Sequence, residues 1–95
     1  MHALDALGSP IRRAILLQLR ATPLSVGEIA AKFPVSRPAI SRHLRMLKRA
    51  RLVEAQTQGA RHVYAVHLRG FASVRSFIDD FWDVALERLA DLAKK

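Results

Sequence analysis

Residues 25 to 51, SVGEIAAKFPVSRPAISRHLRMLKRAR, constrain the chain more than any other segment, because two short helical patterns crowd against one proline-bearing turn. Ser25 and Glu28 form the spacing of a capping box, which opens a helix predicted to run through Phe33 with Ile29, Ala30 and Phe33 on its buried face. Pro34 stops that helix. Ser36 can cap the next one and Pro38 is tolerated in its first turn. Ile40, Leu44 and Leu47 then recur at i, i+4 and i+7, the spacing of a stripe that faces a core. Two helices this short cannot bury their apolar faces separately, so the segment reads as a helix-turn-helix whose second helix leaves Arg37, Pro38, Ser41, Arg42, Arg45 and Lys48 facing outward.

The charge of the chain is concentrated in that second helix. The formal net charge is +8, and residues 36 to 51 supply six bases without one acid: Arg37, Arg42, Arg45, Lys48, Arg49 and Arg51. Residues 70 to 95 carry four bases against five acids, so the basic character is local. A run of this kind on an isolated helix is compatible with a merely solvated face; inside a helix-turn-helix it favours a polyanionic partner.

The flanking segments fill out a single domain. At 95 residues the chain can build one modest core, and it is too short for an enzyme with separate cofactor and substrate lobes. Ser9 and Pro10 supply an N-cap and a first-turn proline for a helix through about Ala21, with Ile11, Ala14, Ile15, Leu17 and Leu19 on its apolar side. After Arg51, the β-prone runs Leu52 to Gln56 and His62 to Leu68 flank a loop with Gly59, the pattern of a hairpin. A final helix over about 70–93 carries Phe71, Val74, Phe77, Ile78, Phe81, Trp82, Ala85, Leu86, Leu89 and Leu92, more apolar positions than one narrow stripe holds. Part of that arc is expected to meet a second copy of the chain, the alternative being that it packs on its own domain. The fold class is therefore mainly α with a small β-hairpin, the helix-turn-helix spanning about 26–50 and the hairpin about 52–68.

The outward face of the second helix has the chemistry of a duplex reader. Arg37 and Arg42 have the reach and fork geometry for guanine O6 and N7, Ser41 reaches a base edge or phosphate, and Pro38 can touch a thymine methyl. Ser36, His43, Arg45, Lys48 and Arg49 are the expected phosphate contacts, which position a protein without conveying sequence. Arg61 and His62 follow Gly59, where a hairpin tip would reach the flanking minor groove or backbone, with Arg61 the stronger candidate. Tyr64, on the returning strand, reads as a packing residue. An RNA duplex is disfavoured because its A-form major groove is too narrow for a helix.

Enzymatic readings find no support: there is no glycine-rich phosphate loop, no HExxH, and no serine-histidine-acid set. The chain has no cysteine, which excludes disulfides and thiolate ligands, and its four histidines, His2, His43, His62 and His67, are scattered. Asp79, Asp80, Asp83, Glu87 and Asp91 on the last helix lack a nitrogen or sulfur donor beside them, a poor set for zinc. No cofactor is expected. The start of the chain lacks the layout of a signal peptide, and no run approaches the roughly 18 apolar residues of a membrane span, so a soluble cytoplasmic protein is the expectation.

Three segments carry a family likeness: LGSPIRRAILLQL, LSVGEIAAKFPVSRPAISRHLRMLKRARLV and the hairpin QGARHVYAV. In their order and content the chain resembles the winged helix-turn-helix repressors of the ArsR/SmtB family over nearly its whole length. The resemblance implies a homodimer, paired through terminal helices by residues such as Leu4, Leu7, Phe71, Val74, Ile78, Phe81, Trp82 and Leu89. It also implies two recognition helices in successive major grooves of a palindromic operator, with half-sites about 10 base pairs apart. Many relatives sense metals, either through a cysteine motif near the first helix of the helix-turn-helix or through Asp and His pairs on the last helix. This chain has SVGEIAAKF at the first place and no histidine at the second, so a member that does not sense metal is expected. Release from DNA is left to a small molecule, a partner protein or repressor concentration. The rival reading is a winged-helix module that binds protein, with the basic helix as solvated surface.

Overall fold

The computed structural model describes residues 2–94. Its order is α1 (Ala3–Ala6), α2 (Pro10–Leu19), α3 (Val26–Ala30), α4 (Arg37–Arg49), β1 (Val53–Gln58), β2 (Arg61–Val66), a 3-10 turn (Leu68–Phe71) and α5 (Ala72–Ala93). This is a winged helix-turn-helix: four helices, α1 to α4, and a two-stranded antiparallel hairpin around one core, with a long helix leaving it.

Local chemistry explains the boundaries. The Ser9 hydroxyl accepts the Arg12 N–H at 3.3 Å, and Pro10 opens α2 with its fixed φ. α2 ends at Leu19 rather than near Ala21, because Thr22 and Pro23 take the chain out of the helix. At α3 the capping box closes both ways: Ser25 Oγ accepts from Glu28 N–H at 3.2 Å, and Ser25 N–H donates to Glu28 Oε1 at 2.9 Å. The expected run of this helix to Phe33 is too long. It ends at Ala30, and the next bonds are the tighter Lys32 N–H to Ile29 O (3.0 Å) and Phe33 N–H to Ala30 O (3.4 Å). Pro34 disfavours helical dihedrals at Phe33, which unwinds the last turn.

α4 starts where Ser36 Oγ accepts the Ala39 N–H at 3.3 Å. Ile40, Leu44 and Leu47 are fully buried and meet Ile15, Leu16, Leu19, Ile29 and Leu52 in the core. The hairpin pairs Val53 with Val66 through to Gln58 with Arg61, longer on the first strand than Leu52 to Gln56 and shorter on the second than His62 to Leu68. Gly59 turns it at φ 64. One further bridge joins Leu24 to Tyr64 by reciprocal backbone bonds of 3.1 and 2.8 Å, which ties the α2–α3 connection to β2. Tyr64 packs against the core at that bridge.

α1 falls on the N-terminal helix that the resemblance implied through Leu4 and Leu7, although no capping or periodicity signal gave its bounds. Four residues cannot hold a helix by themselves, and its carbonyls are satisfied from α2: Arg12 Nε donates to Ala6 O at 2.7 Å and Arg13 donates to Leu7 O at 2.7 Å. Ala3 and Ala6 are thereby buried. α5 behaves oppositely. Phe71 and Val74 at its start touch the core, yet none of its 22 residues is buried, and the molecule extends 61 Å by 26 Å by 24 Å along its principal axes.

Candidate nucleic-acid interface

The faces of α4 follow from its periodicity. With Ile40, Leu44 and Leu47 buried, Pro38, Arg42, Arg45 and Arg49 form one exposed line at i, i+4, i+7 and i+11. Arg37, Ser41 and Lys48 lie on a second line beside it, Ser41 partly covered and the two cations exposed. Ser36, also exposed, is engaged as the cap. Among the described residues the ion pairs are Arg61–Glu28 and Arg75–Asp79, so no carboxylate neutralises the cations of α4. Like charges three and four residues apart on a helix repel by about 0.2–0.5 kcal/mol per pair, a cost that a phosphate backbone would reverse.

The neighbouring elements set the position of this face. The Arg37 guanidinium lies across Gly27 of α3, where an added Cβ would stand 3.7 Å from its nearest nitrogen. On the side of α4 toward α1 and α2, Arg12 donates to Met46 Sδ at 3.2 Å as well as to Ala6 O, bracing the recognition helix against both. This brace spans 34 residues of sequence and has no local signature. His43 lies on the same side, partly buried, with its Nδ1 enclosed and unpartnered among the described residues. Burial, then the charges of Arg12 and Arg42, hold its pKa below the ordinary histidine value. A neutral imidazole offers phosphate a hydrogen bond at most, without the charge that Arg45 or Lys48 brings.

The hairpin leaves Gln58, Gly59 and Ala60 exposed at its tip. Arg61, the first residue of β2, turns back from that tip and ion-pairs with Glu28 of the α3 capping box. The Glu28 carboxyl is held below its usual range by its hydrogen bonds to Ser25, backbone first, and then by Arg61. The pair links the wing to the helix-turn-helix across 33 residues, and no sequence pattern announces it. His62 is exposed opposite Thr57.

The residues expected at a dimer contact divide into two groups. Leu7, Phe71 and Val74 pack on the chain's own core. Leu4, Ile78, Phe81, Trp82 and Leu89 are exposed, and along α5 Phe77 stacks on Phe81 at 6.5 Å between ring centroids while Phe81 meets Trp82 edge-on at 5.5 Å. Among the described residues no three His, Cys, Asp or Glu side chains cluster as metal ligands, and no helix is long and apolar enough to cross a membrane.

Comparison with known proteins gives one answer at every level. Residues 9–55 match the profile of "Bacterial regulatory protein, arsR family". The chain is 48% identical over 91 residues to the HTH-type transcriptional regulator Rv2034 of Mycobacterium tuberculosis, covering 96% of this chain and 85% of that one. It is 36% identical over 66 residues to the transcriptional repressor SdpR of Bacillus subtilis, covering 70% of this chain and 73% of the relative. The crystal structure of a "possible transcriptional regulator for arsenical resistance" superimposes with a TM-score of 0.80 at 36% identity, over 96% of this chain and 95% of that one. These relatives are regulators of transcription, not enzymes. A basic, acid-free recognition helix, a hairpin wing and these matches together identify the chain as a member of the ArsR family of winged helix-turn-helix, DNA-binding transcriptional regulators.

Proposed function

We propose that the protein is a homodimeric, sequence-specific repressor that binds an inverted-repeat operator and occludes a promoter. The observation that carries this reading is α4: five unopposed bases, Arg37, Arg42, Arg45, Lys48 and Arg49, on a helix whose other face is fully buried. Arg37, Pro38, Ser41 and Arg42, near its N-terminal end, read base edges. Ser36, Arg45, Lys48 and Arg49 hold phosphates, His43 adding a hydrogen bond at most, and the wing, with Arg61 and His62, lies against the flanking backbone. The exposed apolar arc of α5, with Leu4, is the surface for a second copy; a twofold axis there sets two recognition helices about one turn of DNA apart. Repression as the outcome is supported by the likeness to a protein named a transcriptional repressor.

Selection of bound sequences from a random duplex pool tests the proposal. The expected result is an inverted repeat, bound at least about 10^3-fold more tightly than scrambled DNA at physiological salt. Weak, salt-sensitive binding without a consensus would instead favour a protein-interaction module.

A further inference from the structure

We propose a second anion site, centred on Arg51 and Arg69 and meeting the DNA-facing line of α4 only at its last residue, Arg49, that takes a small phosphate-bearing molecule behind the recognition helix. A hollow of about 420 Å³ lies where the C-terminal end of α4, the 3-10 turn and the first turn of α5 come together beside α1. Arg49, Arg51 and Arg69 line it with His2, Gly70 and Ser73, and no Asp or Glu does. None of the three arginines has an ion-pair partner among the described residues. Its size is that of a small-molecule pocket, and arginine, which three of its lining residues are, carries the planar fork that pairs with the oxygens of a phosphate.

Arg51 distinguishes this hollow from ordinary basic surface. It follows the C-cap Ala50 at φ 62, the left-handed position that closes a helix and that glycine adopts without strain. The backbone around it is held from several sides. Arg51 N–H donates to Lys48 O at 3.0 Å, His67 Nδ1 lies 2.9 Å from Arg51 O, and Gly70 packs so closely that a Cβ would fall 1.6 Å from that carbonyl. A long cation is therefore kept at a glycine position against conformational cost, and it lines the hollow. The site is also remote from Arg37: Arg49 stands twelve residues further along α4, roughly 18 Å along its axis. A phosphate held between Arg51 and Arg69 would tie the rear of the recognition helix to the root of α5. Regulation of DNA binding through that tie rests on the proposed function; the binding itself does not.

Thermal unfolding of the full chain with added sodium pyrophosphate, at ionic strength matched by sodium chloride, reads the site without DNA. The expected result is a saturable rise in Tm for the wild type, with affinity at least tenfold weaker in Arg51→Gly and in Arg69→Ala. Glycine suits the backbone at residue 51, so the unliganded Arg51→Gly variant keeps the wild-type Tm or exceeds it. Both variants should bind a random duplex within twofold of the wild type and with the same salt slope. A Tm response shared equally by all three proteins, or none beyond the sodium chloride control, overturns the proposal. So does weaker binding of both variants to random duplex with a shallower salt slope, which would make these arginines contacts of the DNA backbone.

Discussion

Replacing Trp82 by alanine separates the proposed dimer contact from the fold of the monomer. Trp82 is the single tryptophan of the chain, it is 51% exposed, and its ring meets Phe81 edge-on at 5.5 Å. A large aromatic side chain offers about 200 Å² for burial, so roughly 100 Å² remains for a second copy to cover. At about 25 cal/mol per Å², that burial contributes about 2.5 kcal/mol per protomer. A twofold interface contains the residue twice, so the substitution should remove about 4–5 kcal/mol from association, weakening the dimer by about 10^3-fold or more. Sedimentation equilibrium over a concentration series measures this directly, and the wild-type tryptophan emission should shift to the red on dilution through the dimer Kd. The urea midpoint of the dissociated monomer should move by less than about 0.5 kcal/mol equivalent, because Trp82 touches no buried residue group of the core cluster. A dimer Kd within tenfold of the wild type would refute the assignment of this surface. A loss of monomer stability as large as the loss of association would refute the reasoning from exposure.

Three further outcomes probe the recognition helix. Arg42→Ala should cost about 1–3 kcal/mol on the selected operator and relax preference at one position, and equal weakening on operator and random duplex would remove Arg42 from base readout. Lys48→Ala should weaken binding to all duplexes alike and flatten the salt slope by about one unit; an unchanged slope would place Lys48 in solvent. His43 adds a pH dependence, since burial and then the Arg12 and Arg42 charges lower its pKa in the folded chain. The unfolded chain then binds the proton more readily, so His43 contributes stability that is complete above about pH 6.5 and declines as pH falls toward the depressed folded value. Urea midpoints at pH 7.5 and 5.5 should therefore separate further in the wild type than in His43→Gln, and equal separations would contradict the inward placement of the ring. Glu28 does not interfere in that window, because its lowered carboxyl stays ionised throughout.

Local chemistry was enough to place most of the helix ends. Ser9-Pro10, the Ser25/Glu28 box, Ser36 and Gly59 each act within a few residues of themselves, through a hydroxyl, a carboxylate or a positive φ, and each is at work where the chain places it. Periodicity likewise determined the two sides of α4, since burying Ile40, Leu44 and Leu47 leaves the Arg42, Arg45 and Arg49 line no other direction. Among the boundaries that sequence reading overextended, Phe33 failed because apolar spacing continues past Ala30 while Pro34 acts backward on the residue before it.

Contacts between distant residues were decided only by tertiary structure. α1 exists because Arg12 and Arg13 reach its carbonyls from another helix, and the same Arg12 braces α4 through Met46. Arg61, expected at the wing tip, is drawn back to Glu28, and Arg51, indistinguishable in the sequence from its basic neighbours, occupies a left-handed helix end beside a hollow. The apolar arc of α5 could have closed on its own domain or stood open to another copy, and the hydrophobic spacing is the same for both. Capping, turn geometry and periodicity act over one or two helical turns and so are written in the order of residues. Ion pairs, cavities and the choice of which apolar face is left uncovered depend on how whole elements meet in space, which no stretch of sequence encodes alone.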